Sequence, residues 1–514
     1  MARSLSTFAA SCPLRVASER RLAPRVKYNR NIAAKWDFHF MNRLAQLLSS
    51  GFLLVTAVAA ASSANDSSET IANELRDKAM RGESVAWDFV SELTTRIGPR
   101  PAGSPAERAA AEWSARRMKE LGFENVRIQP FPMTYWVRGT EKVEITAPFP
   151  QPVVAAALGG SPPTPAGGVE GEVVLFPTFD DLKAAAPGSL AGKIAVVTRP
   201  MPATQDGSSY GVTGAARRDG PTEAARKGAV AFALRSLATG GDRFAHAGAA
   251  RYDGERVAIP SFAISEADSE QLERLAKLGE KVRLRLSSTA SYVANATSQN
   301  VIGDIRGSER PNEILLLAAH LDSWDLGTGA VDDAAGAAII TAAAKLIAEA
   351  PRKPKRTVRV VLYGSEEVSQ PGKVALGAEV YPREYRSEIG SHVIAGESDF
   401  GADRVYSVSL PAGALTSPFG VTLTRVLAPI AVVPSTVPPG SGGADIAPLA
   451  NLGVPIFLLN QDGTRYFDLH HTANDTLDKI DPAALSQNVA AWAALVWLAA
   501  DSDVDFRALG ASGK

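Results

Sequence analysis

Cysteine is nearly absent: Cys12 is the only one in 514 residues, and it falls in a leader expected to be removed. A mature chain without cysteine has no disulfides, no thiol nucleophile, no cysteine-ligated zinc and no lipid-anchoring cysteine. Excess charge is also lacking. The formal net charge is −1 and no dense Lys/Arg block occurs, which removes the electrostatic basis for nucleic-acid binding and favours a small-molecule or peptide substrate. A long uninterrupted apolar run is missing near the start, where Leu44 to Ala61 is broken by Gln46, Ser49, Ser50 and Gly51. That stretch is short for a span of about 20 residues, so no stable membrane anchor is expected.

What stands there instead is the layout of a secretory signal peptide. Met41 opens it, Arg43 supplies the positive end, and small residues close it at Ser62-Ser63-Ala64. Residues 1–64 are therefore read as a leader, with the signal peptide at 41–64 and an upstream start at Met1 that precedes a better one at Met41. The expected destination is secreted or periplasmic. The leader carries nine Lys/Arg and two Asp/Glu, so its removal leaves 45 against 53, a net charge of −8.

The remaining length suits two or three domains, each with its own core. Residues 65–140 read as helical in Ser68 to Arg96 and again after the Ser104 cap and Pro105. A Gly/Pro loop, IGPRPAGS, separates the two, and a strand from Val126 to Phe131 follows. Residues 141–290 change texture. The Pro/Gly-rich stretch Gly160 to Gly168 precedes short apolar runs at Val173 to Phe176, Ile194 to Val197, Gly228 to Leu234 and Ile259 to Ile264, with helical pieces at Glu223 to Lys227 and Ser269 to Leu278. This reads as a smaller module inserted in a loop of the catalytic domain, without a metal-ligand cluster of its own. In residues 291–514 strands are expected at Val301 to Ile305, Glu313 to Ala319, Thr357 to Tyr363, His392 to Gly396 and Val454 to Leu459. The expected fold class is α/β, a mixed and mostly parallel central sheet flanked by helices. A last helix, capped by Asp481 and opened by Pro482, presents Leu485, Val489, Trp492 and Val496 to the core.

The chemistry concentrates in Leu315 to Gly336. An apolar strand ends in His320 and Asp322, and a loop leads to Asp332 and Asp333 at the start of an apolar helix. Later strand ends add Glu366 and Glu367, then Asp399, then His471 in HHTANDT. Singly, such residues are usually hydrogen-bonded core or cap residues. Together, His320, Asp332, Glu367, Asp399 and His471 have the number and kinds of ligand that two neighbouring metal ions require. Adjacent Glu366 and Glu367 suit different tasks, so Glu366 is assigned as the general base facing the attacking water. Asp322 is expected to accept a hydrogen bond from the His320 imidazole and fix its tautomer. His470 is open between polarising the substrate carbonyl and packing. His246 and His392 are read as structural or surface residues, and Asp445, on the Gly-rich loop SGGADIAP, as a possible pocket-lining residue.

The motifs HLDSWDLGTGAVDD, SEE, ESDFG and HHTANDT, with PKRTVRVVLY before the glutamate pair, resemble those of the co-catalytic dizinc exopeptidases of the aminopeptidase-like fold. Within these the chain is similar to the carboxypeptidase Q (plasma glutamate carboxypeptidase) group. The resemblance spans nearly the whole mature chain and implies two Zn²⁺ per chain, with Asp332 bridging, His320 and Asp399 on one ion, and Glu367 and His471 on the other. It also implies a homodimer, a protease-associated-like insert, a cis peptide between Asp332 and Asp333, and cleavage of dipeptides or short peptides. Ala334 and Ala335 stand where glycines are common, and Gln370-Pro371-Gly372 alters the loop after the glutamate pair. The expected function is an exported carboxypeptidase or dipeptidase using metal-activated water. An aminopeptidase of the same fold is the alternative enzyme, and a binding or receptor protein the alternative from another class.

Overall fold

The computed structural model describes residues 68–252, 258–368 and 375–511. The leader with its signal peptide, Cys12 and His39, and the Gln370-Pro371-Gly372 loop, lie outside the described residues.

Five strands form the sheet that carries the site: β1 (Glu124–Val137), β2 (Ser291–Ile305), β3 (Arg310–His320), β4 (Arg356–Tyr363) and β5 (His392–Glu397), in the order β1-β2-β4-β3-β5. β1 with β2 and β2 with β4 are antiparallel, while β3 runs parallel to both β4 and β5. The parallel strands are continuous apolar runs because helices cover both faces, and Leu315, Leu316 and Leu317 are each fully buried. The expected mixed α/β sheet is present. At its far edge the Val454 to Leu459 expectation is only partly met. Pro455 accepts from the Ala395 N–H and the Phe457 N–H donates back to Ala395, but the regular strand is Leu458–Gln461, in a separate three-stranded sheet. Pro455 has no N–H to extend a ladder.

Helix Ala335–Ala348 follows β3 and is almost wholly buried against Pro482–Asp501, which is long and apolar enough to cross a bilayer but is itself buried in the core. Its first turn approaches β5 closely: a Cβ on Gly336 would meet the Ser398 carbonyl and the Asp333 carboxylate. Asp481 caps Pro482–Asp501 as expected, although a short helix, Phe506–Ala511, follows it, and Ser104 caps Pro105–Glu120 by accepting from the Glu107 N–H. Ser68 to Arg96 is two helices, 68–80 and Ala86–Arg96, because Gly82 takes φ +76° between them. The break turns Trp87 outward and Phe89, Val90 and Leu93 inward.

Between β1 and β2, which pair with each other, the chain builds a second sheet of eight strands. Its centre is parallel: Val169–Phe176, Lys193–Val197, Ala231–Arg235 and Ser261–Ile264. The helical piece expected at Glu223 to Lys227 is the end of a longer helix, Ser208–Arg226. Its glycines and Pro221 hide it from propensity, yet Gly220 is needed where the Phe232 ring packs against it.

Leu317 sits midway along β3, between β4 and β5. Leu317→Ala is expected to lower unfolding free energy by about 2–5 kcal/mol, measured by urea denaturation, as truncation of a fully buried leucine leaves a cavity.

Candidate metal centre and catalytic cavity

β3, β4 and β5 all end on the same side, so the segments after their carboxyl ends converge. His320 is the last residue of β3. Its Nε2 lies 3.1 Å from Asp332 Oδ1 and 3.3 Å from Asp399 Oδ1. On the other side of Asp332, His471 Nε2 lies 3.3 Å from Asp332 Oδ2 and 2.9 Å from Glu367 Oε2. Two three-residue groups thus share Asp332: His320, Asp332 and Asp399; and Asp332, Glu367 and His471. The structure brings together all five residues expected to be ligands, and the peptide between Asp332 and Asp333 is cis.

These donors suit a cation. Asp332 Oδ2 and Glu367 Oε1 are buried without a hydrogen-bond partner, and no Lys or Arg forms an ion pair with Asp332, Glu367 or Asp399 among the described residues. Burial pushes Glu367 well above the usual carboxylate range, with Asp332 adding to it. Burial acts on Asp332 in the same direction, but His470, His320 and His471 together hold it well below that range. His320 is raised well above the ordinary imidazole value although burial opposes this, because Asp399 and Asp332 favour its charged form. Mixed imidazole and carboxylate donors, crowded and mutually repelling, fit zinc.

The expected hydrogen bond from the His320 imidazole to the Asp322 carboxylate is not made. His320 Nδ1 lies 2.9 Å from the Asp322 backbone carbonyl and 3.9 Å from its carboxylate. The carboxylate instead accepts from the backbone N–H groups of Glu366 (3.1 Å) and Glu367 (3.2 Å). It orients the glutamate pair, and the main chain orients the imidazole. Ser365, just before the pair, takes φ +60°, a region few non-glycine residues enter, which sharpens the turn from β4 to Glu366. Glu366 is half-buried on the cavity wall, and its carboxyl is pushed up to about 8, chiefly by burial.

Two further supports, Asp475 and Arg100, were not singled out from the sequence. Asp475, in HHTANDT, accepts from the N–H groups of Val331 (2.6 Å) and Asp332 (3.3 Å) and is pushed up to about 7, mainly by burial. Asp333 accepts from the His320 and Gly336 N–H groups. Arg100, in IGPRPAGS, is fully buried and donates to the carbonyls of Gly98, Leu321, Thr328 and Gly329. Asp445 is fully buried and lines neither of the two cavities beside the metal centre; its N–H donates to Glu397, and burial pushes its carboxyl well up. His392 is structural, its Nε2 2.9 Å from the Tyr381 hydroxyl. His246 is not a surface residue: it is fully buried, with Nε2 2.8 Å from His470 Nδ1. Nothing local in sequence marks that contact, which joins residues 224 apart.

A cavity of about 370 Å³ opens over the centre, lined by Asp332, Glu366, Glu367, Asp399, His470 and His471 on one side and by Tyr210, Arg217, Arg218 and Arg251 of the insert on the other. A second cavity, of about 300 Å³, shares Asp399 and Phe400 with it and adds Asp206, Glu397 and Tyr406.

The sequence pattern of Peptidase family M28 matches residues 300–496. Carboxypeptidase Q of Bos taurus is 30% identical over 421 residues, covering 82% of this chain and 86% of its own. The crystal structure of a peptidase M28 precursor from Shewanella amazonensis SB2B superposes with a TM-score of 0.82 at 43% identity, over 86% of this chain and 98% of that one. An aminopeptidase from Aneurinibacillus sp. strain AM-1 shares the fold, with a TM-score of 0.58 at 21% identity over 85% and 97% of the two chains. Such relatives, taken with a donor set suited to zinc at the carboxyl edge of the sheet, define a zinc metallo-exopeptidase. The chain belongs to peptidase family M28.

Asp322→Ala leaves the two amides after β4 unpaired. Zinc affinity, read by competition with a chromogenic chelator, is expected to fall about 10- to 100-fold, the usual cost of losing a residue that holds ligands in place. An unchanged competition curve would remove Asp322 from this role.

Proposed function

We propose that the chain is an exported dizinc exopeptidase of the carboxypeptidase or dipeptidase type, acting on dipeptides or short peptides. The observation that carries this reading is the pair of donor groups sharing Asp332 on one wall of a cavity that Glu366 also lines. His320 and Asp399 would hold one zinc, Glu367 and His471 the other, with Asp332 between them. Bound zinc supplies Lewis acidity, polarising the scissile carbonyl and making water acidic enough to be deprotonated near neutral pH. Glu366 takes the proton of the attacking water on a carboxylate oxygen and returns it to the departing amine. Asp322 holds the Glu366 backbone so that this carboxylate stays on the cavity wall. A non-catalytic binding protein would need neither the base nor the complete donor set.

Polarity is favoured by the arginines. Arg217, Arg218 and Arg251 line the cavity and make no ion pair among the described residues, and Arg218 is lowered by burial and by the like charges of the other two. Asp332, Glu367, Asp399 and Glu366 would together balance two zinc dications, leaving these guanidinium groups for a substrate carboxylate. This favours a free carboxyl terminus over the aminopeptidase alternative. The insert reads as a protease-associated-like domain, supported by its place between paired strands and its parallel centre. Export rests on the signal peptide at 41–64, and a homodimer on the resemblance alone.

Glu366→Gln is expected to retain about two zinc per chain by metal analysis while losing about 10²- to 10⁴-fold in activity. Full activity in that variant, or a wild-type protein without zinc, overturns the mechanism. In a peptide panel, N-acetylated peptides with a free carboxyl terminus are expected to be cleaved and C-terminal amides spared. Arg217→Ala should raise KM for the former about tenfold or more, the scale of a lost charge-assisted hydrogen bond. The opposite preference would select the aminopeptidase.

A further inference from the structure

His246 belongs to the insert, in the segment that follows strand Ala231–Arg235, yet it is packed against the metal-ligand loop. Its ring centroid lies 4.9 Å from that of His470 and 5.1 Å from that of His471, and the two adjacent imidazoles stack on each other at 3.6 Å. The next residue completes the grip. The Ala247 N–H donates to the His471 carbonyl at 2.9 Å, and the Ala247 carbonyl lies 3.4 Å from His471 Nδ1. Both histidines therefore turn Nδ1 toward the insert and Nε2 toward Asp332, at 3.5 Å from His470 and 3.3 Å from His471. His471 takes φ +60°, a conformation that contacts on both sides must hold in place.

Only one hydrogen fits between His246 Nε2 and His470 Nδ1, so each choice of donor fixes what His470 presents to the cavity. If His470 donated from Nδ1, its Nε2 lone pair would face the Asp332 carboxylate, two acceptors opposed. If His246 donates from Nε2, His470 carries its hydrogen on Nε2 and offers a donor toward Asp332 and the cavity. The second choice leaves His246 Nδ1 as a bare acceptor, and Nδ1 is the buried nitrogen without a hydrogen-bond partner. A stranded lone pair is tolerated more readily than a stranded N–H.

We propose that His246 is a positioning residue which, by donating to His470 Nδ1, fixes His470 as an Nε2–H donor directed into the catalytic cavity, so that the insert completes the active site. Its catalytic consequence rests on the exopeptidase reading: a donor there stabilises negative charge as it develops on the scissile carbonyl oxygen. The hydrogen-bond assignment does not depend on that reading.

Two variants and one spectrum test it. His246→Leu removes the donor at similar volume and is expected to lower kcat about 10- to 100-fold with KM, zinc content and melting temperature little changed. His246→Gln, whose amide can donate from a similar position, is expected to recover most of the loss. With only six histidines in the sequence, selective ¹⁵N-histidine labelling of the full chain resolves individual rings, and His470→Gln assigns the resonance. His470 is expected to be the Nε2–H tautomer in wild type, before and after chelation, and a mixture in His246→Leu. An Nδ1–H tautomer in wild type, full kcat in His246→Leu, or equal losses in both variants with a lowered melting temperature would each overturn the proposal. If the wild-type protein cleaves no peptide, the exopeptidase reading fails, while the tautomer still decides the assignment.

Discussion

The structure depends on holding carboxylates and imidazoles against one another where burial leaves most of them little contact with water. Asp332 stands within 3.5 Å of His320, His470 and His471, and Asp399 and Glu367 crowd the same imidazoles. Left alone, buried like charges shift their protonation and drift apart. Here the backbone prevents the drift. Asp475 accepts from Val331 and Asp332, Asp333 from His320, and Asp322 from Glu366 and Glu367, so buried carboxylates tie the loops that carry His320, Asp332, Glu367 and His471 to one another.

That network explains why so many acidic residues surround the site when only some face the cavity. The supporting carboxylates take backbone donors and leave the others free to point at a cation. Arg100 performs the converse task, supplying donors to carbonyls at both ends of the loop between His320 and Asp332. The sheet makes such precision affordable, because β3, β4 and β5 deliver their carboxyl ends within one parallel register.

The insert lies on the other side of the cavity and supplies what the sheet lacks. Its surface there is cationic and aromatic, with Arg217 over the Tyr210 ring at 5.2 Å, opposite an acidic wall. Gly248 has φ +127° and no Cβ where the Arg217 guanidinium packs, so one glycine allows the segment carrying His246 and Ala247 to pass between the arginine and the histidine loop. Side chains from the insert and from the five-stranded sheet's loops therefore meet around one cavity.

Much of this was legible in the sequence. Apolar runs marked β3, β4 and β5, the caps at Ser104 and Asp481 marked helix starts, and the ligand types stood at strand ends, because periodicity and capping are local and each residue carries its own signal. What failed to show depended on partners distant in the chain. Gly82 breaking a helical pattern and Pro455 shortening an edge ladder are local, yet their effects appear only once neighbours pack. Asp322 was expected to bond the imidazole two residues away; the fold brought the amides after β4 closer to its carboxylate, and the main-chain carbonyl took the imidazole instead. His246 was indistinguishable from any surface histidine until 224 residues of chain folded it against His470. By itself the sequence determined which elements form and which donors are available. Tertiary structure alone decided which donor meets which acceptor, since hydrogen bonds act only within about 3 Å and sequence spacing says nothing of distances across lobes.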